Sequence, residues 1–94
     1  VREAAEKAGE KVWPMPLEKA YREKLKSPVA DLKNVGDRYG GAIAAALFLA
    51  EFVQVPLVRL DIAGPAFARK AHALGPEGGT GFGVRTILKV AEAL

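Results

Sequence analysis

Residues 41 to 53 read GAIAAALFLAEFV, a helix-length run that is apolar on every face except at Glu51. A helix of this composition is stable only where protein surrounds it. The chain has 94 residues, half of them hydrophobic, which is enough for one small globular domain but not enough to enclose such a helix easily. Membrane burial is no alternative, because the run from Gly40 to Ala50 meets Glu51 well short of the roughly 20 apolar residues a span requires. The segment Leu57–Ala63 is expected to form a short buried strand, and Val29–Leu32 offers the one candidate for a second. Two strands do not make a stable sheet with a helix buried against it. The elements therefore imply an α/β layered domain whose other strands and helices lie outside these residues.

The remaining segments fit that frame. Val1 to Glu10 is expected to be helical, with Glu3 and Lys7 at a favourable i,i+4 spacing and Gly9 near its end. Pro16 can open a second helix over Leu17–Lys26, where Leu17, Ala20, Tyr21 and Leu25 recur at helical spacing, and Ser27-Pro28 stops it. Phe82–Leu94 predicts a last helix, with Val84, Ile87, Leu88 and Ala91 on one face and Thr80 as a candidate cap. The charged opening VREAAEKAGEK lacks a basic stretch leading into an apolar one, so it does not read as a secretory signal.

Little here could do chemistry unaided. The absence of cysteine excludes disulfides and thiolate metal sites and fits a cytosolic protein. The net charge is +3, but acids and bases alternate closely from Glu18 to Lys26, a pattern that disfavours nucleic-acid binding. Gly78, Gly79, Gly81 and Gly83 match neither GxGxxG nor GxxxxGK[ST], so a turn-rich loop is the simpler reading than a phosphate cradle. His72 has no partner at ligand spacing and reads as a surface histidine. Asp31 and Asp37, six apart around a glycine loop, are a weak metal signal. Trp13 reads as a core or interface anchor. Asp61, at the end of an apolar segment, must be hydrogen-bonded, paired or solvated in a site; structural pairing and a direct role both stay open.

Three ordered blocks carry a resemblance. VADLKNVGDRYGGAIAAALFLAEFV, then LDIAGPAF, then GGTGFGVRT are similar to the last third of the catalytic domain of the leucyl aminopeptidase (cytosol aminopeptidase) family. The preceding GEKVWPMPLEKAYREKLKS resembles the helical stretch that leads into it. The likeness covers essentially the whole chain.

The resemblance implies a fragment of a mixed-sheet, three-layer catalytic domain, with helices on both faces of the sheet, in a cytoplasmic homohexamer. It also implies exopeptidase activity on peptide N-termini, with two divalent ions, zinc or manganese, activating water and polarising the scissile carbonyl. In that family the metals are held by a Lys and Asp block and by an Asn-Thr-Asp-Ala-Glu-Gly-Arg block that also supplies the catalytic arginine. Neither has an equivalent in this sequence, so no catalytic or metal-ligating residue is assigned here, and residues 1 to 94 alone are expected to be inactive. The expected contribution is pocket wall: by motif position Ala63 and Ala66 line the pocket for the N-terminal side chain, and Val35 resembles the rim residue that receives the second one. The residues by themselves also allow a free-standing small α/β binding or assembly module, which would make no use of the rest of such a polypeptide.

Overall fold

The computed structural model describes all 94 residues, which fall into two units: Val1–Pro14 together with Leu60–Leu94, and the intervening Met15–Arg59. The elements are helix α1 (Arg2–Ala8), a 3-10 helix (Lys19–Leu25), helix α2 (Gly41–Ala50), strands β1 (Phe67–Ala68) and β2 (Gly78–Gly79), and helix α3 (Val84–Glu92). No helix is long and apolar enough to cross a membrane.

In the unit Met15–Arg59, α2 packs against the 3-10 helix. Leu25, Ile43, Ala44 and Leu47 form its core, with Tyr21, Leu32 and Phe48 packed around them. The Arg22 guanidinium forks onto the Glu51 carboxylate at 2.5 and 3.2 Å, tying the 3-10 helix to the end of α2. That fork holds the Glu51 carboxyl below its ordinary pKa and raises that of Arg22. Lys24 Nζ lies 2.6 Å from Asp37 Oδ2, and Asp37 Oδ1 accepts from the Tyr39 N–H at 2.8 Å. Lys24 foremost, and then the Tyr39 N–H, lower the Asp37 pKa. Asp37 is thus engaged in closing its own loop.

The all-round apolar α2 buries only one side here: Ile43, Ala44 and Leu47 are covered, while Leu49 and, just beyond the helix, Phe52 remain exposed. It also ends at Ala50 rather than running to Val53, because the chain tightens there through a Glu51 N–H bond to the Phe48 carbonyl.

Three sequence expectations change in form. The α-helix expected over Leu17–Lys26 is a 3-10 helix over Lys19–Leu25: the Glu18 carboxylate accepts from the Ala20 N–H, and Tyr21 and Lys26 each donate three residues back. Val29–Leu32 is a bend instead of a strand, because the Ser27 hydroxyl accepts from the N–H groups of Val29 and Ala30 and curls the chain. Leu57–Ala63 forms no ladder. A strand exists only with a partner, and the one sheet in these residues is the antiparallel pair β1–β2, in the register Phe67 to Gly79 and Ala68 to Gly78.

The other unit is organised by α1 against α3. Gly9, in the left-handed region at φ 69, ends α1: its N–H bonds to the Glu6 carbonyl and that of Glu10 to the Ala5 carbonyl. This double bond is the terminal motif that glycine permits at a helix C-terminus. Its consequence is that Glu10 turns inward. Helix α3 meets α1 with Thr86, 1% exposed, and not with the stripe Val84, Ile87, Leu88, Ala91 that the sequence marks as its apolar face. That stripe stays exposed.

Candidate functional site

A hydrogen-bonded loop of the first unit runs from Asp61 to Ala66. Asp61 Oδ1 accepts from the Ala63 N–H at 3.4 Å, the local bond by which an aspartate starts a turn. The Ala66 N–H then donates to the Ile62 carbonyl at 2.9 Å and closes the turn around Gly64 and Pro65. Thr80 takes hold of its far end: its hydroxyl donates to the Pro65 carbonyl at 2.6 Å, and its N–H to the Ala66 carbonyl at 2.9 Å. From there β1 and β2 continue as a ladder. A turn whose tip is Ala, Gly, Pro and Ala thus has bonded backbone on both sides and carries only small side chains.

Ala63 is exposed and Ala66 half-buried, and the same turn presents both. Val35 is exposed too, on the loop between the 3-10 helix and α2, in the other unit. Of the three pocket candidates the structure joins two in one feature.

The sequence missed Glu10. Its carboxylate is almost fully buried and accepts from the Gly83 N–H (3.1 Å), the Thr86 N–H (3.0 Å) and the Thr86 hydroxyl (2.6 Å). Arg85 Nε stands 3.6 Å from its other side. The Thr86 hydroxyl foremost, with the two N–H groups and Arg85, holds the carboxyl below the usual carboxylate range, against the opposing push of burial. Glu10 therefore satisfies the unpaired amides that open α3, the role the sequence gives to Thr80. Thr80 is committed elsewhere: its hydroxyl accepts from the Phe82 N–H while donating to Pro65. The one available signal was Gly9, which puts a carboxylate immediately after a helix end.

No group of three or more His, Cys, Asp or Glu side chains is placed to hold a metal ion. Glu10 serves α3, Asp37 and Glu51 serve the cations Lys24 and Arg22, and Asp61 serves its own turn. His72 is exposed and exchanges backbone bonds with Gly75, in keeping with the surface reading. Trp13 is 85% exposed, which removes the core half of its reading within this chain.

Comparison with known proteins gives concordant results. Residues 1–88 match the cytosol aminopeptidase family, catalytic domain. A probable cytosol aminopeptidase of Picosynechococcus is 60% identical over 86 residues, which cover 90% of this chain and 18% of that protein. Among solved structures, the bottromycin maturation enzyme BotP in complex with Mn superimposes with a TM-score of 0.89 at 46% identity, over 97% of this chain and 21% of that one. A tomato leucine aminopeptidase variant does so with a TM-score of 0.82 at 46% identity, over 93% of this chain and 17% of that one. The chain thus spans about a fifth or less of the proteins it resembles, and its α/β fold class is theirs. A free-standing binding module is not favoured by a match that runs through a catalytic domain. On these grounds the chain belongs to the cytosol aminopeptidase family.

Proposed function

We propose that these residues work within a metal-dependent leucyl aminopeptidase that removes N-terminal residues from peptides, as the C-terminal portion of its three-layer catalytic domain. Here they supply pocket wall and packing. Ala63 and Ala66 line the pocket for the N-terminal side chain, and Val35 borders the place of the second residue. A pair of divalent ions, zinc or manganese, supplies the activated water and polarises the scissile carbonyl in such an enzyme. The acidic side chains of this chain do not fit that group, since no three of them are placed to hold an ion and Glu10, Asp37 and Glu51 are committed to structural partners. The metal ligands therefore belong to other residues of the polypeptide, and no catalytic step is assigned to this chain. The exposed stripe on α3 and the exposed Phe52 are apolar surface suited to cover by the remainder of that polypeptide, in a cytoplasmic homohexamer.

The observation that carries the pocket assignment is the turn Asp61–Ala66, whose backbone is held at both ends and whose tip bears only small side chains. A wall of this kind discriminates by the volume it leaves free. The test is Ala66→Phe in the full-length enzyme. Overfilling a packed site costs about 1–3 kcal/mol, so leucyl substrates should lose roughly ten- to a hundredfold in kcat/KM. Alanyl substrates should lose far less, because a methyl group does not reach the added ring. A parental leucyl-to-alanyl ratio in an enzyme that keeps its metals and assembly would refute the assignment.

A further inference from the structure

The Thr80 side chain grips the candidate pocket turn from outside it. A hydroxyl has a single proton and two lone pairs. Here the proton goes to the Pro65 carbonyl at 2.6 Å, which fixes the rotor, and a lone pair receives the Phe82 N–H at 3.2 Å. The Thr80 N–H, on the same residue, donates to the Ala66 carbonyl at 2.9 Å. Ala66 is then held on both sides, its N–H by the Ile62 carbonyl and its C=O by Thr80. A shift of the residue at 80 must move the Pro65–Ala66 peptide with it.

The other end of the grip is equally fixed. Phe82 leads directly into α3, whose first amides are bound by the buried Glu10 carboxylate. The turn is therefore referred to a helix terminus and not to a free loop. Gly78 and Gly79, immediately before Thr80, carry no side chain that could take over the task, and their ladder to β1 begins only beyond Ala66.

We propose that Thr80 is a positioning residue for substrate selection, its hydroxyl setting the depth of the pocket wall at Ala66 for bulky aliphatic N-terminal residues without touching the substrate. The inference rests on the reading of Ala66 as pocket wall. A leucyl side chain gains from packing against a wall held at one depth, whereas an alanyl side chain stops short of it.

The experiment uses the full-length enzyme and three variants. Thr80→Val deletes the hydroxyl and keeps the branched shape, Thr80→Ser keeps the hydroxyl, and Ala66→Phe tests the wall directly. The expected result is a leucyl-to-alanyl kcat/KM ratio lowered roughly three- to tenfold in Thr80→Val, the size of one ordinary hydrogen bond. The loss should fall mainly on the leucyl KM, and Thr80→Ser should restore the parental ratio. If Ala66→Phe shifts the ratio and Thr80→Val leaves it parental, or lowers leucyl and alanyl turnover equally, the role of Thr80 is overturned while the pocket stands. Failure of Thr80→Ser to rescue would overturn it as well, since shape rather than the proton would then matter. If neither Ala66→Phe nor Thr80→Val moves the ratio, the pocket reading falls and takes this inference with it. Should Thr80→Val not fold, Thr80→Ala removes the same proton and is read by the same ratio.

Discussion

One oxygen of Glu10 accepts twice from Thr86, from the backbone N–H at 3.0 Å and from the side-chain hydroxyl at 2.6 Å. The two residues are 76 positions apart, yet the bond does what a capping residue does locally: it satisfies the open amides of a helix. A carboxylate there also faces the positive end of the helix dipole. Removing either partner would leave buried polar groups of the other without a match, which is the costly way to lose a hydrogen bond.

The first prediction follows from the sign of the Glu10 shift. Its pKa in the folded protein lies below that of a free glutamate, so its contribution to stability is fully present above the free value. It is lost as the pH falls through the lower, folded-state pKa. Glu10→Gln should therefore be less stable than the parent at neutral pH, and the gap should close as both proteins are acidified. Urea unfolding from about pH 7 down to about pH 3 measures this. A gap independent of pH would mean that the carboxylate charge is not what holds α3.

A second prediction concerns Gly40, which precedes α2 at φ 65. A Cβ added there would run into the Tyr21 ring, and Tyr21 is itself packed on the core of its unit. Gly40→Ala should destabilise by at least about 1–2 kcal/mol from the left-handed backbone alone, with displacement of the ring added to that. Gly41→Ala, one residue on, meets nothing within 4 Å at an ordinary φ and lies inside the helix. It should be neutral or stabilising by about 0.4–1 kcal/mol. Denaturation midpoints of the two variants ought to fall on opposite sides of the parent, or nearly so.

Leu25 gives the third. It is fully buried between the 3-10 helix and α2, and its carbonyl accepts from the Lys33 N–H at 2.7 Å irrespective of the side chain. Leu25→Ala should cost about 2–5 kcal/mol through lost burial and the cavity left behind. Leu25→Met, which nearly conserves volume, should cost less than about 1.5 kcal/mol. Equal losses in the two would show that the site tolerates no flexible side chain, and that packing shape outweighs volume.

What the sequence disclosed and what it hid divide along physical lines. The α2 run was legible because a continuous apolar stretch has few other fates, and α1 because Gly9 marks its end. The small-residue turn with Ala63 and Ala66 was legible through a motif. Glu10 was hidden because its partners are 76 residues away, and no periodicity records such a bond. Leu57–Ala63 looked like a strand because its apolar pattern fits one, but a ladder requires a neighbour and these residues provide none. Helix α3 misled in a different way. Its apolar stripe faces outward, and the face used against α1 is centred on a threonine that Glu10 makes cheap to bury.

The first unit is assembled from both ends of the chain, Val1–Pro14 and Leu60–Leu94, with Met15–Arg59 inserted between them. During ribosomal synthesis α1 therefore emerges long before its mate. At roughly 5–20 residues per second, Glu10 waits on the order of four to fifteen seconds for Thr86 to leave the tunnel. Met15–Arg59, whose core contacts close within one contiguous stretch, has no such delay and can condense while α1 still lacks α3. The bond between Glu10 and Thr86 can therefore form only after the residues of the Asp61–Ala66 turn have been synthesised.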